Sequence, residues 1–261
     1  MLKAIVFDLD GVVYLGARGI PGVASEISRL QKIMQVLFLT NNATKSRADY
    51  VKHLASFGIT AKTADVMTAS FGCAHYVSEK YGKGKKIFVI GESGLREELE
   101  GEAGAKLIDG EGAQIVACGL DRQINYGKLD MALKNLVAGA HFILANNDPT
   151  YPNENGISPG SGSIAAPLIV ASGRKPDVIV GKPSTYLMNK LLEFHKVKPK
   201  EAAFVGDRLD IDIRMANKIG MTSVLVLTGI AKKGDLKKAP KSDRPDIVIG
   251  TAAEVGRALR I

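Results

Sequence analysis

The run Ala4-Ile5-Val6-Phe7-Asp8-Leu9-Asp10-Gly11 opens with four apolar residues. Two carboxylates, separated by Leu9, and a glycine follow directly. An apolar run of this length that ends at charge and glycine is typical of a buried strand that stops at a turn. We therefore predict that Asp8 and Asp10 lie at the carboxyl end of a strand and that Gly11 permits the turn. Two carboxylates at this spacing also occur in acidic turns and helix caps, so the motif alone leaves both interpretations open.

Further short apolar runs repeat this pattern along the chain. They are rich in Val and Ile and end at Gly, Asp, Asn or Thr, as buried parallel strands do. The predicted strands are Ala4–Phe7, Val36–Leu39, Ile87–Ile90, Gln114–Cys118, Phe142–Ala145, Val178–Val180, Ala202–Val205, Ser223–Leu227 and Ile247–Ile249.

Apolar residues at helical spacing occur between several of these strands. The predicted faces are Val23, Ile27, Leu30 and Met34 after Pro21 and Gly22; Val51, Leu54 and Phe57 before Gly58; and Leu187, Leu191 and Phe194. Alternation of strands and helices indicates an α/β fold with a doubly wound parallel sheet.

Composition limits the class of protein. The chain has 261 residues, of which 46% are hydrophobic and 24% charged, which is enough for a core without disulfides. Its two cysteines, Cys73 and Cys118, lie in apolar runs and are expected to be buried thiols, which fits a reducing cytosol. No run is long enough to span a bilayer and the N-terminus lacks a signal-peptide pattern, so we predict a soluble cytoplasmic protein without a membrane partner.

The net charge of +8 raises the question of a nucleic-acid partner. The basic residues are dispersed, and the densest stretch, Lys232 to Lys241, has no interleaved aromatic residues and no recognition motif. We therefore predict no nucleic-acid partner, while a mildly positive field suits a small anionic substrate.

Three other predicted strands also end in polar residues. The stretches are Leu39-Thr40-Asn41-Asn42, Gly181-Lys182-Pro183 and Gly206-Asp207-Arg208-Leu209-Asp210-Ile211-Asp212. A hydroxyl and an amide can bond phosphate oxygens, a lysine can neutralise phosphate charge, and three acids suit a hard cation that prefers oxygen ligands. Ligands of open α/β sheets bind at these carboxyl ends, so we expect the four stretches to form one site.

In this order, the four stretches resemble the motifs of the haloacid dehalogenase-like hydrolase superfamily. Asp8 and Asp10 match its first motif, Thr40 the second, Lys182 the third and Asp207 the fourth, and the resemblance covers nearly the whole chain. The stretches Asp10-Gly11-Val12-Val13-Tyr14, Gly160-Ser161-Gly162-Ser163 and Gly173-Arg174-Lys175-Pro176-Asp177 are similar to its NagD and 4-nitrophenylphosphatase branch.

The resemblance implies a Rossmann-like core with an inserted α/β cap that selects the substrate. We predict a core of residues 1–79 and 178–261 and a cap of residues 80–177, because turn-like stretches mark both boundaries. It also leaves open a homodimer formed through the cap, for which the sequence offers no surface pattern of its own.

The activity implied by the resemblance is a magnesium-dependent phosphatase for small phosphomonoesters. Asp8 would be the nucleophile that carries the phospho-aspartyl intermediate, and Asp10 the general acid and base. Mg²⁺ would be held by the Asp8 carboxylate, the Asp10 main-chain carbonyl and Asp207. Thr40, Asn41 and Lys182 would bind the transferring phosphoryl group.

Further residues are predicted to have supporting roles. Asp212 is expected to act behind the metal ligands, although Asp210 fits the same role. The resemblance places Asn146 and Asp148 of the cap in a loop that helps to select the substrate.

Two other functions are compatible with the motifs. One is phosphoryl transfer to an acceptor other than water, and the other is a non-enzymatic receiver that is phosphorylated on Asp8 to signal. Asp10 argues against the receiver, because a general acid and base beside the phospho-aspartate would remove the signal.

Overall fold

The computed structural model describes residues 2–153 and 156–261. In chain order its strands are β1 (Ala4–Phe7), β2 (Tyr14–Leu15), β3 (Arg18–Gly19), β4 (Gln35–Thr40), β5 (Val66–Thr68), β6 (Lys86–Ile90), β7 (Lys106–Leu107), β8 (Ile115–Cys118), β9 (His141–Leu144), β10 (Thr150–Asn153), β11 (Gly156–Pro159), β12 (Val178–Ile179), β13 (Ala202–Gly206), β14 (Thr222–Val226) and β15 (Ile247–Ile249).

The α-helices connect these strands. They are α1 (Val23–Leu30), α2 (Arg47–Ser56), α3 (Ala69–Tyr81), α4 (Ser93–Gly101), α5 (Tyr126–Val137), α6 (Ser161–Ser172), α7 (Tyr186–Phe194), α8 (Arg214–Ile219) and α9 (Val255–Leu259). Among the helices in the described part of the chain, none combines the length and the apolar character needed to cross a bilayer.

The chain forms two compact units. The first contains residues 1–40, 51–67 and 182–261, and the second contains residues 41–50 and 68–181. The predicted cap, residues 80–177, lies within the second unit. That unit starts earlier because α3 packs against α4, and it ends later because β12 pairs with β9. Whether the second unit acts as a cap stays a prediction.

The first unit is built on a six-stranded sheet in the order β15-β14-β13-β1-β4-β5. Strands β15, β14, β13, β1 and β4 pair in parallel, with Ile5 of β1 opposite Ala203 on one side and Val36 on the other. Every residue of β1 and β13 is buried, as expected for central strands that are covered on both faces. The central pair β1 and β13 therefore joins the beginning of the chain to its last third.

The second unit has its own parallel sheet, in the order β12-β9-β8-β6-β7. Helices α5 and α6 pack together, and their buried residues Leu136 and Leu168 belong to one apolar cluster with Val116 and Phe142 of the sheet. Each unit thus buries a core of its own, and both confirm the predicted α/β class with parallel sheets.

All nine predicted strands occur, with ends that shift by at most one residue. In the described part of the chain the structure adds six short strands, which are β2, β3, β5, β7, β10 and β11. In the sheet of the first unit the added strand is β5, whose three residues Val66-Met67-Thr68 are too few to give a pattern. The predicted helix face through Met34 is too long, because α1 ends at Leu30 and the chain then turns. The Met34 N–H donates to the Leu30 carbonyl at 3.0 Å within that turn.

Both cysteines are buried free thiols, as the sequence predicts. Burial raises the pKa of Cys118 to about 12, and burial together with Cys118 raises that of Cys73 further. Neither thiol is therefore ionised at neutral pH, which argues against nucleophilic chemistry at either residue.

Candidate active site

Asp8 stands at the carboxyl end of the central strand of the first unit. Its N–H donates to the Val205 carbonyl at 2.8 Å, so the sheet pairing continues up to this residue. The residue is only 8% exposed. Asp10 is exposed, and Gly11 after it has a φ of +82°, a conformation in which glycine avoids the steric cost of a side chain. The sequence prediction of a strand that ends at a turn is confirmed.

Lys182 is a buried lysine that bridges two carboxylates. Its ammonium nitrogen lies 2.7 Å from Asp8 Oδ1 and 2.8 Å from Asp212 Oδ1, and its side chain is 3% exposed. Although burial lowers the pKa of Lys182, the charges of Asp212 and Asp8 raise it by more, so its pKa lies above the ordinary value. Lys182 therefore stays protonated, and it holds Asp8 in a fixed orientation.

Asp207 and Asp212 follow β13, the neighbour of β1. Asp207 comes directly after the strand, and Asp212 lies in a π-helical turn, Leu209–Ile213. Asp212 Oδ2 accepts from the main-chain N–H groups of Asp207 and Arg208, each at 3.1 Å. Asp212 is 1% exposed, so these two bonds and the ion pair to Lys182 fix its carboxylate.

The structure distinguishes between the two acids that the sequence left open for a supporting role. The side chain of Asp210 is 59% exposed and pairs with Arg208 at 3.2 Å. Asp212 instead joins Asp8 and Asp207 in a cluster in which one carboxylate oxygen from each residue lies within 4.8 Å of the other two. Only Asp212 is therefore placed to support a metal, although that role stays a prediction.

The cluster of Asp8, Asp207 and Asp212 has the chemistry of a divalent cation site. All three carboxylates are buried, oxygen is the ligand atom that Mg²⁺ prefers, and the single ammonium of Lys182 does not neutralise them. The residues present therefore fit a magnesium ion.

Electrostatics indicate the same need for positive charge. Burial raises the pKa of Asp8 well above its ordinary value; Lys182 lowers it, but Asp212 and Asp207 raise it again. Burial and the neighbouring Asp212 raise the pKa of Asp207 to about 7. A cation among these groups would favour their ionised forms, because it offsets their mutual repulsion.

Thr40 is buried at the end of β4, the strand on the other side of β1. Parallel neighbours end at the same edge of a sheet, so Thr40, Asp8 and Asp207 share the carboxyl edge of strands β4, β1 and β13. The sheet order thus brings these three predicted site residues to one edge.

Asn41 belongs to the second unit, where it bonds both predicted cap residues. The Asn146 side-chain amide donates to the Asn41 carbonyl at 2.7 Å, and the Asn41 side-chain amide donates to Asp148 Oδ2 at 3.1 Å. The Asp148 N–H donates to Asn146 Oδ1 at 3.1 Å, which closes a three-residue network. The sequence gives no sign of this network, because Asn41 is more than a hundred positions away from the other two.

Sequence analysis also missed the loop after β14. The Thr228 hydroxyl donates to the Gly11 carbonyl at 2.6 Å, and the Ile230 N–H donates to Asp207 Oδ2 at 2.8 Å. A signal was present, because Leu227-Thr228-Gly229 is a further strand end with a polar residue and a glycine.

Comparison with known families and proteins identifies relatives of this chain. Two family models, described as haloacid dehalogenase-like hydrolase and HAD-hydrolase-like, match residues 5–105 and 179–255. The 4-nitrophenylphosphatase of Schizosaccharomyces pombe is 33% identical over 275 residues, covering 96% of this chain and 92% of its own. An acid sugar phosphatase of Staphylococcus aureus is 36% identical over 236 residues, covering 90% of both chains.

Solved structures give the same grouping. The p-nitrophenyl phosphatase of Archaeoglobus fulgidus has a TM-score of 0.91 at 32% identity, covering 98% of this chain and 99% of its own. NagD of E. coli K-12 has a TM-score of 0.87 at 29% identity, covering 97% and 98%. A glycerol phosphate phosphatase of Mycobacterium tuberculosis in complex with magnesium has a TM-score of 0.89 at 32% identity, covering 96% and 75%.

The chain therefore belongs to the haloacid dehalogenase-like hydrolase family. Within that family it falls in the NagD and 4-nitrophenylphosphatase branch. The chain is a phosphoric monoester hydrolase, and this confirms the class of enzyme that the motifs indicated.

Replacing Lys182 by methionine should destabilise the cation-free protein, because two buried carboxylates lose their partner. Loss of one member of a buried pair typically costs about 3–5 kcal/mol. Urea unfolding in EDTA measures the effect. Lys3→Met is the matched control, since its ion pair with Glu201 is exposed and screened by solvent. Equal losses in the free energy of unfolding would contradict the prediction, because the buried ion pairs of Lys182 would then contribute no more than an exposed pair.

Proposed function

We propose that this phosphoric monoester hydrolase uses Mg²⁺ and cleaves a small phosphorylated metabolite through a phospho-aspartyl intermediate on Asp8. The observation that carries the proposal is the ion pair between Lys182 and Asp8 beside the two further buried carboxylates. A carboxylate held by an ammonium next to a cation site is suited to attack an anionic phosphate, because the positive charges offset the repulsion between the two anions.

Asp8 and Asp10 perform the bond changes. An Asp8 carboxylate oxygen forms a bond to phosphorus as the bond from phosphorus to the ester oxygen breaks, and Asp10 gives a proton to the departing oxygen. Asp10 then takes a proton from water, whose oxygen bonds to phosphorus as the bond to Asp8 breaks. Inorganic phosphate leaves, and both residues return to their starting states. The exposed side chain of Asp10 suits an exchange with substrate and water.

The proposed ligands of the metal are the Asp8 carboxylate, the Asp10 main-chain carbonyl and Asp207. When bound, Mg²⁺ supplies positive charge to the nucleophile and to the transferring phosphoryl group. Asp212 would hold Lys182 and the main chain of Asp207 in place, as its ion pair and its hydrogen bonds support.

Thr40, Asn41 and Lys182 are the proposed ligands of the phosphoryl group. The Lys182 ammonium lies next to the attacking carboxylate, and Thr40 ends the neighbouring strand. Asn41 is held at its carbonyl by Asn146 and at its amide by Asp148. Hydrogen-bond donors that are fixed before the substrate arrives stabilise developing charge without further reorganisation.

The second unit is proposed to act as the cap that sets substrate choice. The relatives are named for an aryl ester, for sugars and for glycerol phosphate. Proteins that are 32–36% identical to this chain are thus named for different groups that carry the phosphate. We propose that the substrate is a small phosphomonoester of the same size range. We also propose a cytoplasmic location, because both cysteines are buried free thiols.

Removal of the metal should abolish hydrolysis of 4-nitrophenyl phosphate. EDTA should stop the release of nitrophenolate and added Mg²⁺ should restore it, because the carboxylate cluster otherwise repels the substrate. Asp207→Asn should require a higher Mg²⁺ concentration for half-maximal rate, since the amide keeps an oxygen but loses the charge. Asp210→Asn, which removes an exposed carboxylate, is the control. Full activity without any metal would refute the assignment.

Phosphate should be found on Asp8 during turnover. Asp8→Asn should abolish activity because an amide is a poor nucleophile, and Asp10→Asn should lower the rate by about 10²–10⁴-fold. Nitrophenolate leaves without a proton, so Asp10→Asn should release one equivalent rapidly and then accumulate the intermediate. Mass spectrometry of rapidly quenched enzyme identifies the residue. A label on serine, histidine or cysteine would overturn the mechanism.

Changes at the cap residues should separate substrate choice from phosphate cleavage. Asp148 is half-buried and also bonds Asn41, so Asp148→Ala should lower kcat/KM on both substrates. The loss should be larger on the best substrate from a metabolite panel than on 4-nitrophenyl phosphate, because the partly exposed carboxylate is proposed to contact the group that carries the phosphate. Asn146 is 4% exposed and bonds Asn41, so Asn146→Ala should impair both substrates, through a misplaced Asn41.

The control is thermal stability, because Asn and Asp also shape turns before proline. Equal losses on both substrates in Asp148→Ala, together with a lowered Tm, would reject a role in substrate choice. That outcome would leave the mechanism on Asp8 untouched.

A further inference from the structure

One loop of the first unit contacts both the turn after Asp8 and the carboxylate of Asp207. Thr228 donates its hydroxyl to the Gly11 carbonyl at 2.6 Å. Two residues later, the Ile230 N–H donates to Asp207 Oδ2 at 2.8 Å, and the next N–H, of Ala231, donates to the Asp207 carbonyl at 3.0 Å. The loop therefore bonds two segments that lie about two hundred positions apart in the chain.

Two glycines enclose the Asp207 carboxylate. A methyl group on Gly11 would lie 2.6 Å from Asp207 Oδ2 and 3.1 Å from the Cα of Gly229. A methyl group on Gly229 would overlap the same oxygen and lie 2.5 Å from Asp207 Cγ. Separations below 3.0 Å are essentially absent between real atoms of this kind, so a larger residue at either position requires a shift of the Asp207 carboxylate or of the main chain around it.

The hydrogen bond from Ile230 and the two glycines both affect the orientation of the Asp207 carboxylate. The N–H of Ile230 holds one oxygen of Asp207, while the absence of side chains at Gly11 and Gly229 provides the space that this carboxylate occupies. Thr228 fixes the carbonyl that follows Asp10, and so limits rotation of the peptide next to the proposed main-chain ligand. Groups behind metal ligands set the orientation of the ligands in this way.

We propose that Thr228, Gly229 and Ile230 form a positioning loop that orients Asp207 and the Asp10–Gly11 turn to receive the metal ion. The inference rests on the proposed function, since it concerns the same Mg²⁺. It assigns to the loop no contact with substrate. The loop acts through Asp207 and through the carbonyl of Gly11.

Gly229→Ala tests the steric part. Isothermal titration of the substrate-free enzyme with MgCl₂ should give a Kd that is about 10–100-fold higher than that of the unchanged protein, the usual effect of altering a group behind a metal ligand. Gly234→Ala is the matched control, because Gly234 lies further along the same connection and a methyl group there meets nothing within 4 Å. Its Mg²⁺ affinity should not change.

Substitutions at Thr228 test its hydrogen bond to the Gly11 carbonyl separately from the steric effect. Thr228→Val keeps the shape but removes the donor, whereas Thr228→Ser keeps the donor. We expect weaker Mg²⁺ binding in Thr228→Val, at unchanged KM for 4-nitrophenyl phosphate under saturating Mg²⁺, and recovery in Thr228→Ser. Thr222→Val, at the opposite end of β14, is the control for the substitution itself. Circular dichroism and urea midpoints verify that the variants are folded.

The inference is overturned if Gly229→Ala and Thr228→Val bind Mg²⁺ as tightly as their controls while the unchanged protein binds it and hydrolyses phosphate. In that case the proposed function stands without the loop. If the unchanged protein neither binds Mg²⁺ in the calorimeter nor needs it for hydrolysis, the proposed metal dependence fails and the inference fails with it. The two failures are therefore distinguishable.

Discussion

The buried ammonium of Lys182, at 2.7 Å from Asp8 and 2.8 Å from Asp212, is the interaction on which the rest of the site depends. Burying a charge is costly unless it is paired, and three carboxylates in this cluster exceed the charge of one lysine. The remaining negative charge fits a cation, and the same arrangement fixes the orientation of Asp8, the proposed nucleophile. The stability of the buried carboxylates and the proposed reaction therefore both require positive charge at this edge of the sheet.

The strand order meets that requirement. Strands β1 and β13 are central neighbours, and they carry Asp8 and Asp207 to the same edge. The chain returns to the first unit at Lys182, directly after the second unit ends at Gly181. Lys182 thus enters the cluster from a third segment, and all four charged residues of the cluster belong to the first unit.

The second unit contributes a different kind of constraint. Asn41, Asn146 and Asp148 bond one another in a network, so a proposed phosphate ligand and the proposed substrate-selecting loop are mechanically connected. In the first unit the loop at Thr228 connects the turn at Gly11 and Asp207 in a similar manner. In both units, main-chain groups and small polar side chains hold residues for which a role in the chemistry is proposed.

The sequence by itself determined the strands and the residues that end them, because an apolar run followed by polar groups is a local property of a parallel strand. The α/β class, the family, and the positions of Asp8, Asp10, Lys182 and Asp207 after the ends of strands could therefore be predicted. Only the tertiary structure decided that Asp212 rather than Asp210 joins the cluster, that Asn146 holds Asn41, and that Thr228 reaches Gly11. Asp210 and Asp212 lie in the same π-helical turn, and they differ because Asp212 is buried there while Asp210 is exposed. The residues of the other two pairs are 105 and 217 positions apart in the chain, so their contacts exist only once the sheets have formed.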